Sequence, residues 1–267
     1  MHFLLESLGF PPGTDFVRLA AEVARTERRG QSFELLGGLG LRAEQAPVPG
    51  RSAAQSEAPQ DLPIDLWPSF RGASPVRLTV ASVERSLDCG GLVTVQGRVG
   101  SILEPNPLDL PVAFLEDEAP VAGDVGQVHL CGFSVDVDAL GFPSQPCAET
   151  NQLRAENRIH GQLDGLGAGR IYPGRLAGPE GAPRLKRLPG FAAPRHVVEL
   201  EFTIDRVFVL ENPLTHEPFD LIETRTGDTR LPLFVSRWQL EEDGFPAPEP
   251  GMRLRGAFWL GARPSRG

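Results

Sequence analysis

His129 and Cys131 stand two residues apart, so any strand they share presents both on one face, as a pair of metal ligands would be presented. Cys147 or His160 would have to complete such a site, but zinc sites are built from two close pairs and only one exists here. His129 and Cys131 alternate with Val128 and Leu130, and an ordinary half-buried strand explains them. Asp136 and Asp138 likewise share a face opposite Val135 and Val137, without the spacing of a calcium loop. Gly165-Leu-Gly167-Ala-Gly169-Arg170 lacks the Gly-Lys-Ser/Thr ending that cradles a phosphate. Gly38-Leu-Gly40-Leu-Arg-Ala43 fits a loose dinucleotide fingerprint but runs into Pro-rich text, leaving no helix N-terminus for an anion. There is no Gly-x-Ser-x-Gly, and of the five histidines only His216, inside Asn212-Pro-Leu-Thr-His-Glu217, stands where a general base could be exposed. No catalytic residue, metal or cofactor is assigned, and an enzyme is only the second alternative.

Charge is more informative. The formal net charge is −9, which works against a general nucleic-acid binder. Residues 101–150 hold nine acids and no Lys or Arg, so they account for the whole of it. Within them Glu116, Asp117, Glu118, Asp136 and Asp138 form the expected partner-binding acidic face. Residues 151–196 are the reverse, with eight basic and three acidic residues in Gly/Pro-rich text. There Arg154, Arg158, Arg170, Arg184, Lys186 and Arg187 are the candidates for an anion or nucleic-acid contact. Of 26 basic residues 25 are Arg, which reads as the codon bias of a GC-rich genome.

These residues need elements to position them. With 30 Gly and 26 Pro in 267 residues, a helical bundle or coiled coil is excluded. No apolar run is long enough to span a bilayer, the first residues lack a basic secretory n-region, and three cysteines are too few for a disulfide framework. A cytoplasmic protein is expected. Thr14 can cap a helix whose apolar face is Phe16, Leu19, Ala20 and Val23, closed by Gly30. Residues 32–42 read as extended and interrupted by Gly37-Gly38, and 44–63 as a Pro/Ala/Ser linker. Beyond them come short apolar runs divided by Pro/Gly clusters, the pattern of sheet and turns.

A weak internal repeat lies in that remainder. Val93–Leu108 and Phe202–Leu214 both slip out of period-2 alternation and both reach Asn-Pro-Leu, where Asn can bond its own backbone. Val128-His-Leu130-Cys-Gly132-Phe133 parallels Met252-Arg-Leu254-Arg-Gly256-Ala-Phe258. In the second copy, strand candidates at Phe202–Val209, Phe219–Glu223 and Thr229–Val235 precede a capping-box helix at Ser236–Gln239 and a further strand. This order resembles the five-stranded OB-fold barrel, less its last strand. The resemblance implies that single-stranded nucleic acid could stack on exposed aromatics; Phe258 and Trp259 are adjacent and face opposite ways, which leaves one of them free to be exposed, and Trp259 joins the candidate nucleic-acid contacts.

The expected fold is α+β, predominantly β, with an N-terminal helix and two tandem OB-like halves. The boundaries read 1–43, linker 44–63, acidic β domain 64–148, Gly/Pro/Arg-rich connection 149–196 and second β domain 197–267. The expected function is a non-enzymatic binding module that recognises a protein partner through the acidic face, by analogy an inhibitor or immunity-type protein. The alternative is an OB-type binder of single-stranded nucleic acid using 151–206.

Overall fold

The computed structural model describes residues 3–11, 13–45, 64–72, 75–85, 92–100, 108–141, 197–226, 229–242 and 246–265. The fold is mostly β. A one-turn helix α1 (Phe3–Glu6) and an amphipathic helix α2 (Phe16–Arg28) come first. Asp15 rather than Thr14 caps α2, its carboxylate accepting the Arg18 amide at 3.0 Å; Thr14 instead donates its hydroxyl to the Pro11 carbonyl. A hairpin follows, β1 (Phe33–Leu36) and β2 (Leu39–Gln45), and β3 (Ile64–Phe70) pairs antiparallel to β2 from Leu39↔Phe70 to Gln45↔Ile64. The Pro-rich stretch thus connects two strands of one small sheet, and β3 pairs with the N-terminal hairpin rather than with the strands after it.

The larger sheet has nine strands. Its first half is β4 (Val76–Arg85), β5 (Leu92–Val99), β6 (Leu108–Leu115), a 3-10 turn (Glu116–Glu118) and β7 (Val125–Gly141). Its second half is β8 (Val197–Thr203) running into β9 (Arg206–Glu211), then β10 (Pro218–Thr226), β11 (Thr229–Ser236), α3 (Arg237–Glu242) and β12 (Arg253–Pro264).

The pairings close two rings that share their longest strands. In one, β4, β5 and β6 form an antiparallel meander, β7 returns antiparallel to β4, and β12 bridges β7 and β6, parallel to β6. In the other, β9, β10 and β11 form the meander, β12 returns antiparallel to β8, and β7 bridges β12 and β11, parallel to β11. With β8 and β9, which run into each other, counted as one bent strand that closes the second ring, each half supplies four strands of its own ring and the fifth of the other.

A glycine stands at each crossing. A side chain on Gly132, where β7 meets β11, would lie 2.5 Å from the Leu233 methyl; one on Gly261, where β12 meets β6, would lie 2.5 Å from the Trp259 ring. Alternation along the shared strands fills two cores. Val128 and Leu130 of β7 and Leu254, Phe258 and Leu260 of β12 join one cluster with Leu78, Val95, Val112, Phe202, Ile222 and Leu233. Cys131 and Phe133 of β7 and Trp259 of β12 face outward and join a second cluster with α1, α2 and the small sheet. The N-terminal layer is a cover laid over the seam where the rings join.

Candidate binding surfaces

The acidic residues expected to act together are split by the fold. Glu116, Asp117 and Glu118 are not on a strand but in the 3-10 turn that ends β6, just after Leu115, which is buried under the N-terminal layer. Glu118 is turned inward, its side chain only 6% exposed, and meets Arg42 of β2 at 3.5 Å and Arg263 of β12 at 3.4 Å. Arg42 also meets Glu27 of α2 at 2.8 Å and Asp117 at 3.6 Å. Glu118 therefore works as a rivet between the cover and the first ring. Glu116 and Asp117 stay on the surface, Asp117 with 64% of its side chain in solvent.

The exposed run continues from Val121 to Gln127, where Asp124 accepts the Val121 amide at 2.9 Å and fixes the turn. Val121 and Val125 are 65% and 51% exposed, unusual for Val in a β-rich molecule. Glu116, Asp117 and Asp124 thus flank two uncovered apolar side chains on one short connection. Asp136 and Asp138 lie further along β7, opposite Ala257 and Arg255 of β12.

Beside Glu118 a small recess opens between the cover and the first ring, lined by Trp67, Phe70, Leu115 and Trp259 with Arg42, Glu118 and Arg263 among its charged residues. A second, larger recess shares Arg42, Ser69 and Arg263 with it and adds Arg71. His129, next to Arg263 in the β7–β12 register, is buried here, and burial together with the Arg71 and Arg263 charges holds its ring below the ordinary histidine value. Cys131 is buried on the same outward face; its thiol donates to the Gly261 carbonyl at 3.6 Å, and burial raises its pKa far above the usual thiol range. Among the described residues no group of three or more His, Cys, Asp or Glu could hold a metal ion.

Trp259 leaves the ring interior as alternation requires, yet only 2% of it meets solvent. Trp67 of β3 stacks on it at 5.9 Å, and Phe133, 5.8 Å away, leads on to Phe234 at 5.2 Å. The outward face expected to be open is therefore occupied by the molecule's own N-terminal layer. Arg154, Arg158, Arg170, Arg184, Lys186 and Arg187 lie outside the described residues.

Sequence reasoning missed Asp220 as a structural polar residue. Asp220 is fully buried and receives both arms of Arg237, at 3.0 and 3.3 Å, which ties α3 to β10; burial raises its pKa and the arginine opposes the shift. A lone Asp inside Pro-Phe-Asp-Leu-Ile, at a position alternation makes inward, was the available signal. No helix among the described residues is long and apolar enough to cross a membrane. A scan of protein-family models, a search of curated proteins and a search of solved structures each return no match to this chain.

Proposed function

We propose that the protein is a non-enzymatic binding module that meets a basic protein partner at the turn between β6 and β7. The observation that carries this reading is that exposed Glu116, Asp117 and Asp124 share one short connection with exposed Val121 and Val125. Acids on a rim steer a cationic partner and set its orientation, while a few uncovered apolar groups supply the area that is desolvated on contact. The sequence adds to this, because no Lys or Arg falls anywhere in 101–150.

The architecture we infer for the module is a pair of OB-like barrels descended from one repeat. Its support is that both rings run strand, strand, strand, short helical turn, strand, and that each takes its fifth strand from the other. By this order β4 corresponds to β8–β9, so the two Asn-Pro-Leu triplets, before β6 and after β9, fall in different connections. The nucleic-acid alternative loses the stacking platform that Trp259 was to provide, and its basic residues carry no argument from the fold.

The test is calorimetric titration of the full chain with an arginine-rich peptide at low salt. Binding should weaken as salt rises. It should drop at least several-fold in the Glu116→Gln/Asp117→Asn variant, while Glu118 is left in place so that its ion pairs survive. Unchanged affinity in that variant would remove the turn from consideration.

A further inference from the structure

Three arginines and one glutamate line the larger recess, a surplus of two positive charges. They come from separate elements: Arg42 from β2, Arg263 from β12, Arg71 from the residue after β3, and Glu34 from β1. Gly38 fixes Arg71 against the hairpin. The Gly38 carbonyl accepts the Arg71 amide at 2.8 Å, and a Cβ on Gly38, whose φ is 88°, would lie 2.6 Å from the Arg71 carbonyl oxygen. Glu34 is engaged in the same turn, its carboxylate accepting the Gly38 amide at 2.8 Å. The arginines are not equally engaged. Arg42 and Arg263 meet Glu118, but Glu118 reaches them from the smaller recess and does not line this one. Among the described residues no carboxylate pairs with Arg71, which is exposed. His129 belongs to the same cluster: it stands opposite Arg263 in the β7–β12 register, and its ring bonds the Gly72 backbone next to Arg71. It is 8% exposed, and its Nδ1 is buried without a hydrogen-bond partner.

We propose that this recess binds a phosphoryl group, as inorganic phosphate or as a small phosphate monoester, through Arg71 and Arg263 together with Ser69, which lines the same wall. A concave wall of one charge sign concentrates ions of the other, and an oxyanion is the partner Arg71 lacks. A phosphate monoester carries about −1.5 to −2 charge at neutral pH and three acceptor oxygens, which matches the surplus; a carboxylate carries a single charge. A guanidinium has five donor hydrogens in a fork that fits phosphate oxygens, so Arg263 can keep Glu118 and still serve the ligand. The Gly38-Leu-Gly40 hairpin offers no helix N-terminus, so the anion is met here by side chains gathered from different strands.

Calorimetric titration of the full chain with inorganic phosphate, and separately with glycerol phosphate, tests this in low-salt buffer free of other oxyanions. One equivalent should bind, more weakly as salt rises. Arg71→Gln should weaken binding several-fold, whereas Arg230→Gln, which removes the same charge from β11, should leave it unchanged. NMR on the unmutated chain gives a reading that does not depend on any variant: the His129 ring signal and the amides of 69–71 should shift with the affinity that calorimetry reports. Tighter binding of glycerol phosphate assigns the recess to an ester; equal or tighter binding of inorganic phosphate assigns it to the free ion. Failure of both probes to bind would overturn the proposal, as would unchanged affinity in Arg71→Gln. Equal losses in the two variants would show attraction to net charge alone, and shifts that spare His129 and 69–71 would place the anion elsewhere; either result overturns it too.

Discussion

Asn212 shows how one side chain can organise two distant parts of this molecule. Its carbonyl oxygen accepts the Leu214 and Thr215 amides at 2.9 and 3.3 Å, closing the loop after β9, while its amide donates to the Leu8 carbonyl at 2.7 Å and holds the turn after α1. Thr215 adds a hydroxyl bond to the Gly9 carbonyl at 2.6 Å. The self-bonding half of this arrangement was legible in Asn-Pro-Leu; the half that reaches Leu8, over two hundred residues earlier, was not, because nothing local encodes it. Asn212→Ala strands a buried carbonyl and two amides and should cost about 2–3 kcal/mol in denaturant unfolding. His129 yields a prediction about pH. Its folded-state pKa lies below the ordinary 6.5, so protonation favours the unfolded chain. Stability present at neutral pH should be lost as pH falls through 6.5 and below, and His129→Gln should flatten that part of the curve. Identical slopes for the two proteins would count against burial and the arginine field as the cause of the lowered value.

Elements were legible where periodicity was strong and misjudged where tertiary cover decided exposure. Helix α2 needs only Phe16, Leu19, Ala20 and Val23 on one face, and the last three are buried. Alternation set Phe258 and Trp259 on opposite faces, but the outward face, which Trp259 takes, lies under the N-terminal layer. A strand pattern reports two faces and is silent about a second sheet laid over one of them. The row from Trp67 through Trp259 and Phe133 to Phe234, with Phe70 set edge-on to Phe234 at 5.0 Å, joins that cover to both rings. Trp259→Ala should therefore cost about 4 kcal/mol and should loosen the cover before the rings, seen as faster amide exchange in β1–β3. Loss of protection confined to β7 and β12 would contradict that order.

At the scale of the whole molecule, the β-rich composition and the run of strands were readable from Pro, Gly and alternation, but the strand that completes each ring was not. β7 bridges β12 and β11 in the second ring and β12 bridges β7 and β6 in the first; sharing of this kind leaves no local mark beyond two glycines at the crossings. It follows that neither half can close a ring alone. Fragments divided within the 149–196 connection should each fail to fold when expressed separately and should copurify when expressed together, by pull-down of a tagged half. A stable, cooperatively unfolding single half would refute the shared-strand account. What the joined rings present is the acidic β6–β7 turn, with Glu118 held inward and Glu116, Asp117, Asp124 and the two valines on the surface, the surface proposed to meet a partner. Amide hydrogen exchange of the full chain, with and without an arginine-rich peptide at low salt, tests that claim most directly. The account predicts slowed exchange concentrated in 116–127; slowing that spares this turn and appears elsewhere would contradict it.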